Sequence, residues 1–444
     1  MKQTLIQPAR PVPGSPRRPP VPSLPPFARL ALPLALAVSL ALAACACSPG
    51  EGGTRGATNA PSPHAVKPAP PARPDPAAPH RARARAIAET LGDADLVGQL
   101  LMVGVDGTGS LPRSSRSLLE TARPGAVVLF GFNADAGPLA LGRFLGELQD
   151  AAAFLPAPIL AAIDHEGGAV QRFKSGVTRL PWAAELGAKG SAAAEAAGRI
   201  AGSELRALGV ALNLAPVVES SGAGQSSFLG RRAFSADPAE SGKLAGAFAS
   251  GLASAGVGAV LKHWPGSSEL DPHLGLPTLD AATGELAARY ERPFADAFAA
   301  GPAAVMLSHV MLPSIDPVSP VTWSKAAIAR LRAAGFRGLV LTDDVAMKAS
   351  LELLPAGEAA LAAVAAGADL VMVSGGPYTA EVVATLRAAL ADGRLPRERA
   401  VEACANALAW KFALELETER DAAVREARLA SFPDLVASHA GLLD

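Results

Sequence analysis

Eight short apolar runs, separated by stretches long enough for a helix, constrain the fold of this chain more than any other feature. They span residues 100–105, 126–132, 159–164, 211–218, 259–263, 304–309, 339–342 and 370–373. Most are continuously apolar instead of alternating, which is the pattern of parallel strands covered on both faces. Parallel neighbours need crossover connections, and Ala/Leu-rich intervals such as 192–208 and 355–366 supply them as helices. Roughly 360 residues carrying eight β–α units fit a single (β/α)8 TIM-type barrel. A doubly wound open sheet is the alternative, but no G-x-G-x-x-G follows the first run. Half of the 444 residues are hydrophobic, enough for a core of that size.

The chain ahead of the barrel has a different texture. Residues 1–29 are Pro-rich and carry Lys2, Arg10, Arg17, Arg18 and Arg29 with no acid, and an apolar run follows over 30–44. That run is too short for a comfortable membrane span, which takes ~20 residues. A basic region, an apolar stretch and then small residues form the layout of a secretory signal. The run ends in Leu42-Ala43-Ala44-Cys45, which resembles a bacterial lipobox, implying a signal peptide over 1–45 and lipidation at Cys45. Residues 46–83 are rich in Pro, Ala, Gly and Ser and cannot bury enough surface to fold. They read as a disordered tether, with the barrel occupying 84–444. The expected location is the bacterial cell envelope, with the protein exported and lipid-anchored. Of three cysteines, only Cys404 lies in the folded part, so no internal disulfide is expected and Cys404 reads as a buried apolar residue.

Polar residues collect where the apolar runs end. Run three ends in Asp164-His165-Glu166-Gly167-Gly168, run five in Lys262-His263-Trp264-Pro265-Gly266, run six in Ser308-His309 and run seven in Thr342-Asp343-Asp344. In a barrel these strand ends build the active site. Four of the five histidines after the tether (His165, His263, His273 and His309, but not His439) fall in these segments. Taken singly, each has a plain structural reading: Asp164 as a helix cap, Lys262 as a rim ion pair, His309 as a core histidine, and His165 and Glu166 as supports beneath a site. The glycines at 167 and 168 would let the backbone turn tightly. Shared placement at one barrel face is the stronger argument.

Several longer motifs, in order over 91–386, resemble glycoside hydrolase family 3 in its bacterial β-N-acetylglucosaminidase branch. Gly98-Gln99-Leu100-Leu101-Met102-Val103-Gly104 is similar to the family's first strand. Asp164 to Phe173 resembles D-x-E-G-G-x-V-Q-R-F, Asn213 to Val217 resembles N-x-A-P-V, and Arg232-Ala233-Phe234 resembles R-x-F. Lys262 to Gly266 resembles K-H-F-P-G, Asp271-Pro272-His273 resembles the D-x-H of the catalytic loop, and Thr342-Asp343-Asp344 with Met347 resembles S-D-D-x-x-M. The resemblance implies that Asp343 is the nucleophile and that His273, oriented by Asp271, is the general acid/base. It further implies that Asp164, Arg172, Arg232, Lys262 and His263 hold the sugar. The sequence departs from the pattern at Pro265-Gly266-Ser267-Ser268, where the family has P-G-H-G. The 262–271 stretch is also about two residues shorter than the family's, and Thr342 replaces a Ser.

The implied activity is that of a retaining β-N-acetylhexosaminidase releasing terminal β-N-acetylglucosamine from cell-wall or chitin-like fragments. A histidine suits the acid/base role because it titrates near neutral pH. It also repels an incoming anion less than a carboxylate would, so phosphorolysis stays open as a side reaction. Two alternatives belong to other classes: a sugar-binding surface lipoprotein with weak or no turnover, and a relative of β-glucosidase specificity. The latter generally takes its acid from a second domain, and none is visible after residue 380. The expected partners are an N-acetylglucosamine-containing glycan and, through the anchor, a membrane. No cofactor or metal is expected: there is no H-E-x-x-H and no cysteine cluster. Balanced charge, 40 basic against 41 acidic residues, gives no reason to expect nucleic acid. The chain is expected to act as a monomer.

Overall fold

Eight parallel strands form one sheet that curls almost fully into a barrel: β1 Leu101–Gly104, β2 Ala126–Leu129, β3 Leu160–Ile163, β4 Leu212–Asn213, β5 Gly258–Trp264, β6 Ala304–Leu307, β7 Leu339–Thr342 and β8 Val371–Val373. This computed structural model describes residues 75–221 and 229–443. The signal-like run, the Leu42–Cys45 tetrapeptide and most of the Pro-rich stretch lie outside the described residues. Pairing runs β7-β6-β5-β4-β3-β2-β1-β8, every pair parallel. β7 and β8 meet through one bridge, Leu341 with Leu370. The seam is reinforced where the Met372 N–H donates to Thr342 Oγ1 at 3.0 Å and the Val345 N–H donates to the Met372 carbonyl at 3.0 Å. The hydroxyl at position 342 therefore helps close the barrel.

Each apolar run in the sequence became one strand; β7 matches its run, β5 extends one residue past each end of its run, and the other strands stop short. β3 ends at Ile163 and β6 at Leu307, which leaves Asp164, Ser308 and His309 just past the strand tips. β4 keeps only two residues. Beyond it, Val217 bridges Lys262. The crossover helices are Ala-rich and bury their small residues. In Pro238–Ser254, for instance, Asp237 Oδ1 accepts the Glu240 N–H at 2.8 Å as an N-cap with Pro238 in the first turn.

Among the described residues, regular structure begins a few residues ahead of the 84 boundary read from texture. A turn at Ala78–His80 leads into the helix Arg81–Thr90. Ala77, Ala84 and Ala88 are fully buried, and Arg81 donates to Asp75 at 2.5 Å and to Asn406 at 2.8 Å. Cys404 is a buried free thiol that burial pushes up to about 12. Among the described residues, no helix is long and apolar enough to cross a membrane.

Candidate active site

All eight site residues expected from the motifs line one cavity of about 690 Å3 at the C-terminal mouth of the barrel: Asp164, Arg172, Arg232, Lys262, His263, Asp271, His273 and Asp343. Its size falls within the ~300–1,000 Å3 of small-molecule pockets. The expected lipidation residue, Cys45, lies outside the described residues.

A chain of alternating charges makes one wall. Lys262, 3% exposed, donates to Asp164 Oδ1 at 2.7 Å and lies 2.7 Å from Glu166 Oε1. Arg172 donates to the other Asp164 oxygen at 2.6 Å, and Arg232 clamps both Glu166 oxygens at 2.8 and 2.9 Å. Two geometric devices bring these side chains together. The first is a small hairpin past β3, His165–Gly167 against Val170–Gln171, which folds Arg172 back onto Asp164. Gly168 in its turn has φ 57°, and a methyl there would lie 2.3 Å from the Trp182 ring, so only glycine fits. The second is a register break in β5: Leu261 pairs with Val305, but Trp264 pairs with Leu307. Three residues on one strand thus span two on the other, which is the count of a β-bulge. Alternation would send neighbouring side chains to opposite faces. With the extra residue, both Lys262 and His263 face the cavity.

Burial alone would push Asp164 and Glu166 up. Lys262, helped by Arg172 at Asp164 and by Arg232 at Glu166, outweighs it and holds both carboxyls below their ordinary range. Burial likewise pushes Lys262 down, but the two carboxylates more than offset it and raise the ammonium. The wall is therefore ionised, with three cations facing two anions.

The opposite wall carries Asp343 and Asp344 at the end of β7. The Asp344 carboxylate is saturated: its Oδ1 accepts the Ala346 N–H at 2.9 Å and the Ser374 N–H at 3.1 Å, and its Oδ2 accepts the Ser374 hydroxyl. Among the described residues, Asp343 accepts only the N–H of Asp344, at 2.8 Å. Asp343 is thus the carboxylate left available to a ligand. His309, 1% exposed, lies outside the cavity lining. Its Nε2–H donates to the Asp344 carbonyl at 2.8 Å and its Nδ1 pairs with Thr322 Oγ1 at 2.6 Å, which fixes the backbone behind Asp343. The core-histidine reading holds for this residue. His165 is also a support: 2% exposed, edge-on to Phe173, and pushed down to about 4 by burial and by Arg179.

His273 stands on the loop after β5. Its Nδ1–H and its backbone N–H both donate to Asp271 Oδ1, at 2.7 and 2.9 Å, which leaves Nε2 free. This loop is tied to the segment following Asp343. The Leu276 N–H donates to Glu352 Oε2 at 3.0 Å and the Ala349 N–H to the Pro272 carbonyl at 3.2 Å. These tethers place His273 on the cavity that holds Asp343. The His273 side chain is 74% exposed.

Sequence reasoning missed three contributors. Glu166 lines the cavity itself and is more than a support. Glu219, 2% exposed, accepts from the His263 N–H at 3.2 Å and pairs with its Nδ1 at 2.8 Å, which aims the ring's other nitrogen at the cavity. Glu219 directly follows the 211–218 run, so the strand-end rule applied to Asp164 and Asp343 would have found it. Glu352 carries no such signal, because its partner is a loop backbone far away in sequence.

Residues 94–408 match the family described as "Glycosyl hydrolase family 3 N terminal domain". A beta-hexosaminidase of Thioalkalivibrio sulfidiphilus is 36% identical over 290 residues, covering 63% of this chain and 82% of the relative. The structure of a family 3 beta-N-acetylglucosaminidase from Paenibacillus sp. superposes with a TM-score of 0.71 at 34% identity, over 74% of this chain and 64% of that one. A beta-N-acetylhexosaminidase from Beutenbergia cavernae gives a TM-score of 0.66 at 31% identity, over 72% of this chain and 99% of its own. With more than half its length inside that match, and with the free carboxylate, the Asp–His pair and the ion wall on one barrel mouth, the chain belongs to glycosyl hydrolase family 3.

Proposed function

We propose that the protein is a retaining β-N-acetylhexosaminidase that hydrolyses terminal β-N-acetylglucosaminides of cell-wall or chitin-like fragments. The carrying observation is that Asp343, which accepts only the Asp344 N–H among the described residues, shares a cavity with His273, whose Nδ1–H is committed to Asp271. Asp343 attacks the anomeric carbon as His273 Nε2–H gives its proton to the departing glycosidic oxygen, and a glycosyl ester on Asp343 results. The neutral imidazole then takes a proton from water, which attacks the same carbon and frees the sugar and the carboxylate. Asp271 stabilises the charged ring and holds its tautomer in both steps. Lys262, Arg172, Arg232 and the carboxylates between them grip the hydroxyl and acetamido groups, and His263, aimed by Glu219, adds one more donor or acceptor.

The test is release of N-acetylglucosamine from a chromogenic aryl β-N-acetylglucosaminide. His273→Ala is expected to lower kcat about 10²–10⁴-fold, because the proton donor to the departing oxygen is gone. The exposure of His273 favours one rival reading, a sugar binder with slow turnover. No product from the parent chain over hours, with calorimetric binding of N-acetylglucosamine retained, would establish that rival.

The same proposal includes the envelope: a signal peptide over 1–45, lipid attachment at Cys45, a tether over 46–83 and a monomeric barrel held off the membrane. Its support is the basic, apolar, small-residue order and the Leu-Ala-Ala-Cys ending. Cys45→Ser is expected to move the protein from the membrane fraction to the soluble fraction, where its sedimentation mass should equal one chain. Continued membrane attachment of Cys45→Ser would defeat the anchor.

A further inference from the structure

A second cavity, about 740 Å3, opens beside the first, between the helices Arg113–Ala122 and Gly376–Asp392. Phe130 and Ser374 belong to the walls of both, so the two spaces adjoin. Phe130 stacks on Phe132 with ring centroids 6.0 Å apart and planes 19° apart. Phe132 faces only the second cavity and is 46% exposed, a large aromatic surface left open to solvent. Past it the lining mixes Leu118 and Val383 with the hydroxyls of Ser114 and Thr121, and its two charged residues, Asp106 and Arg387, are of opposite sign.

Strand order says what this space is next to. In the barrel, β3 stands four strands from β7 in either direction. A sugar whose hydroxyls are held by Asp164 past β3, with its anomeric carbon at Asp343 past β7, runs across the mouth. The departing group then leaves at the β7 side. The loop bearing His273, tied to Ala349 and Glu352, covers that side toward β6. The side toward β8 and β1 opens past Ser374 into the second cavity.

We infer that this cavity is a leaving-group subsite that takes one or two further sugar rings, which makes a neutral oligosaccharide the preferred substrate class. The inference rests on the glycosidase reading above. A pyranose has an apolar C–H face and a hydroxyl edge. Phe132 supplies a platform for the face, and Ser114, Thr121 and Asp106 supply partners for the edge. With one charge of each sign, the lining has no excess to select an ionic leaving group.

Two variants test this with two substrates, methyl β-N-acetylglucosaminide, whose leaving group is too small to reach the second cavity, and the β-linked trisaccharide of N-acetylglucosamine. Ala384→Trp, at an exposed position on the cavity wall, fills the space, and Phe132→Ala removes the platform. Each is expected to lower kcat/KM for the trisaccharide about tenfold, mainly through KM, and to leave the methyl glycoside within about twofold. Equal losses on both substrates, or no loss on either, would overturn the subsite. Trisaccharide titration calorimetry separates this inference from the one beneath it. If the parent chain cleaves neither substrate but Ala384→Trp still weakens trisaccharide binding, the glycosidase reading is lost and the subsite stands.

Discussion

Asp343→Asn is expected to lower kcat on an aryl β-N-acetylglucosaminide by about 10⁴-fold or more, with the thermal midpoint of the protein nearly unchanged. An amide occupies the same space as the carboxylate but cannot form the glycosyl ester, so the reaction loses its covalent route. The fold should tolerate the change, because an amide oxygen can still accept the Asp344 N–H, the one bond that Asp343 accepts among the described residues. Asp344→Asn makes the contrast. Its carboxylate holds Ser374 and the Ala346 N–H, and an amide cannot accept at both positions. That variant should lose stability as well as rate. A burst of aryl alcohol from the parent chain, absent in Asp343→Asn, would identify the covalent step. Equal turnover by Asp343→Asn and the parent would remove Asp343 from the chemistry.

The second large effect falls on stability. Lys262→Met keeps the length and the apolar stem of the side chain but takes the central cation from between Asp164 and Glu166. Breaking a buried ion pair by deleting one partner costs about 3–5 kcal/mol, since the remaining charges stay buried. Arg172 still faces Asp164 and Arg232 still faces Glu166, so the lower end of that range is expected. The pH dependence has a definite sign. Both carboxyls sit below their ordinary values in the folded chain. Their contribution is therefore full above the unfolded carboxylate range, about 4, and is lost as pH falls through the depressed folded values. Without Lys262 those folded values rise, so acid unfolding should begin at a higher pH in the variant than in the parent. Urea midpoints measured between neutral pH and pH 3 check both points. A variant as stable as its parent, with the same acid limb, would mean that the network adds nothing net.

Much of this site could be read from the chain because a parallel barrel has a simple rule. Its strands are covered on both faces and must be apolar, so a polar residue where an apolar run ends marks the mouth. Asp164, Lys262, His263 and Asp343 were all legible on that rule. Glu219, directly after the 211–218 run, obeys it equally. Glu166 lies two residues past Asp164, which strand alternation puts on the same face, and the hairpin beyond β3 brings it to the cavity beside Asp164.

The sequence by itself determined the eight-strand alternation, the face on which chemistry collects and the identity of the charged groups there, because these depend on local apolar length and on residue type. Tertiary structure alone decided which neighbour of each pair is usable. An inserted residue in β5 turns both Lys262 and His263 inward, and three donors occupy Asp344 and so leave Asp343 free. It also decided where His273 stands, through Glu352 and Ala349 reaching across from the far side of the mouth. The reason is that hydrogen bonds and bulges are satisfied between segments brought together only when the barrel closes, and nothing in the spacing along one strand encodes what the next strand will offer it.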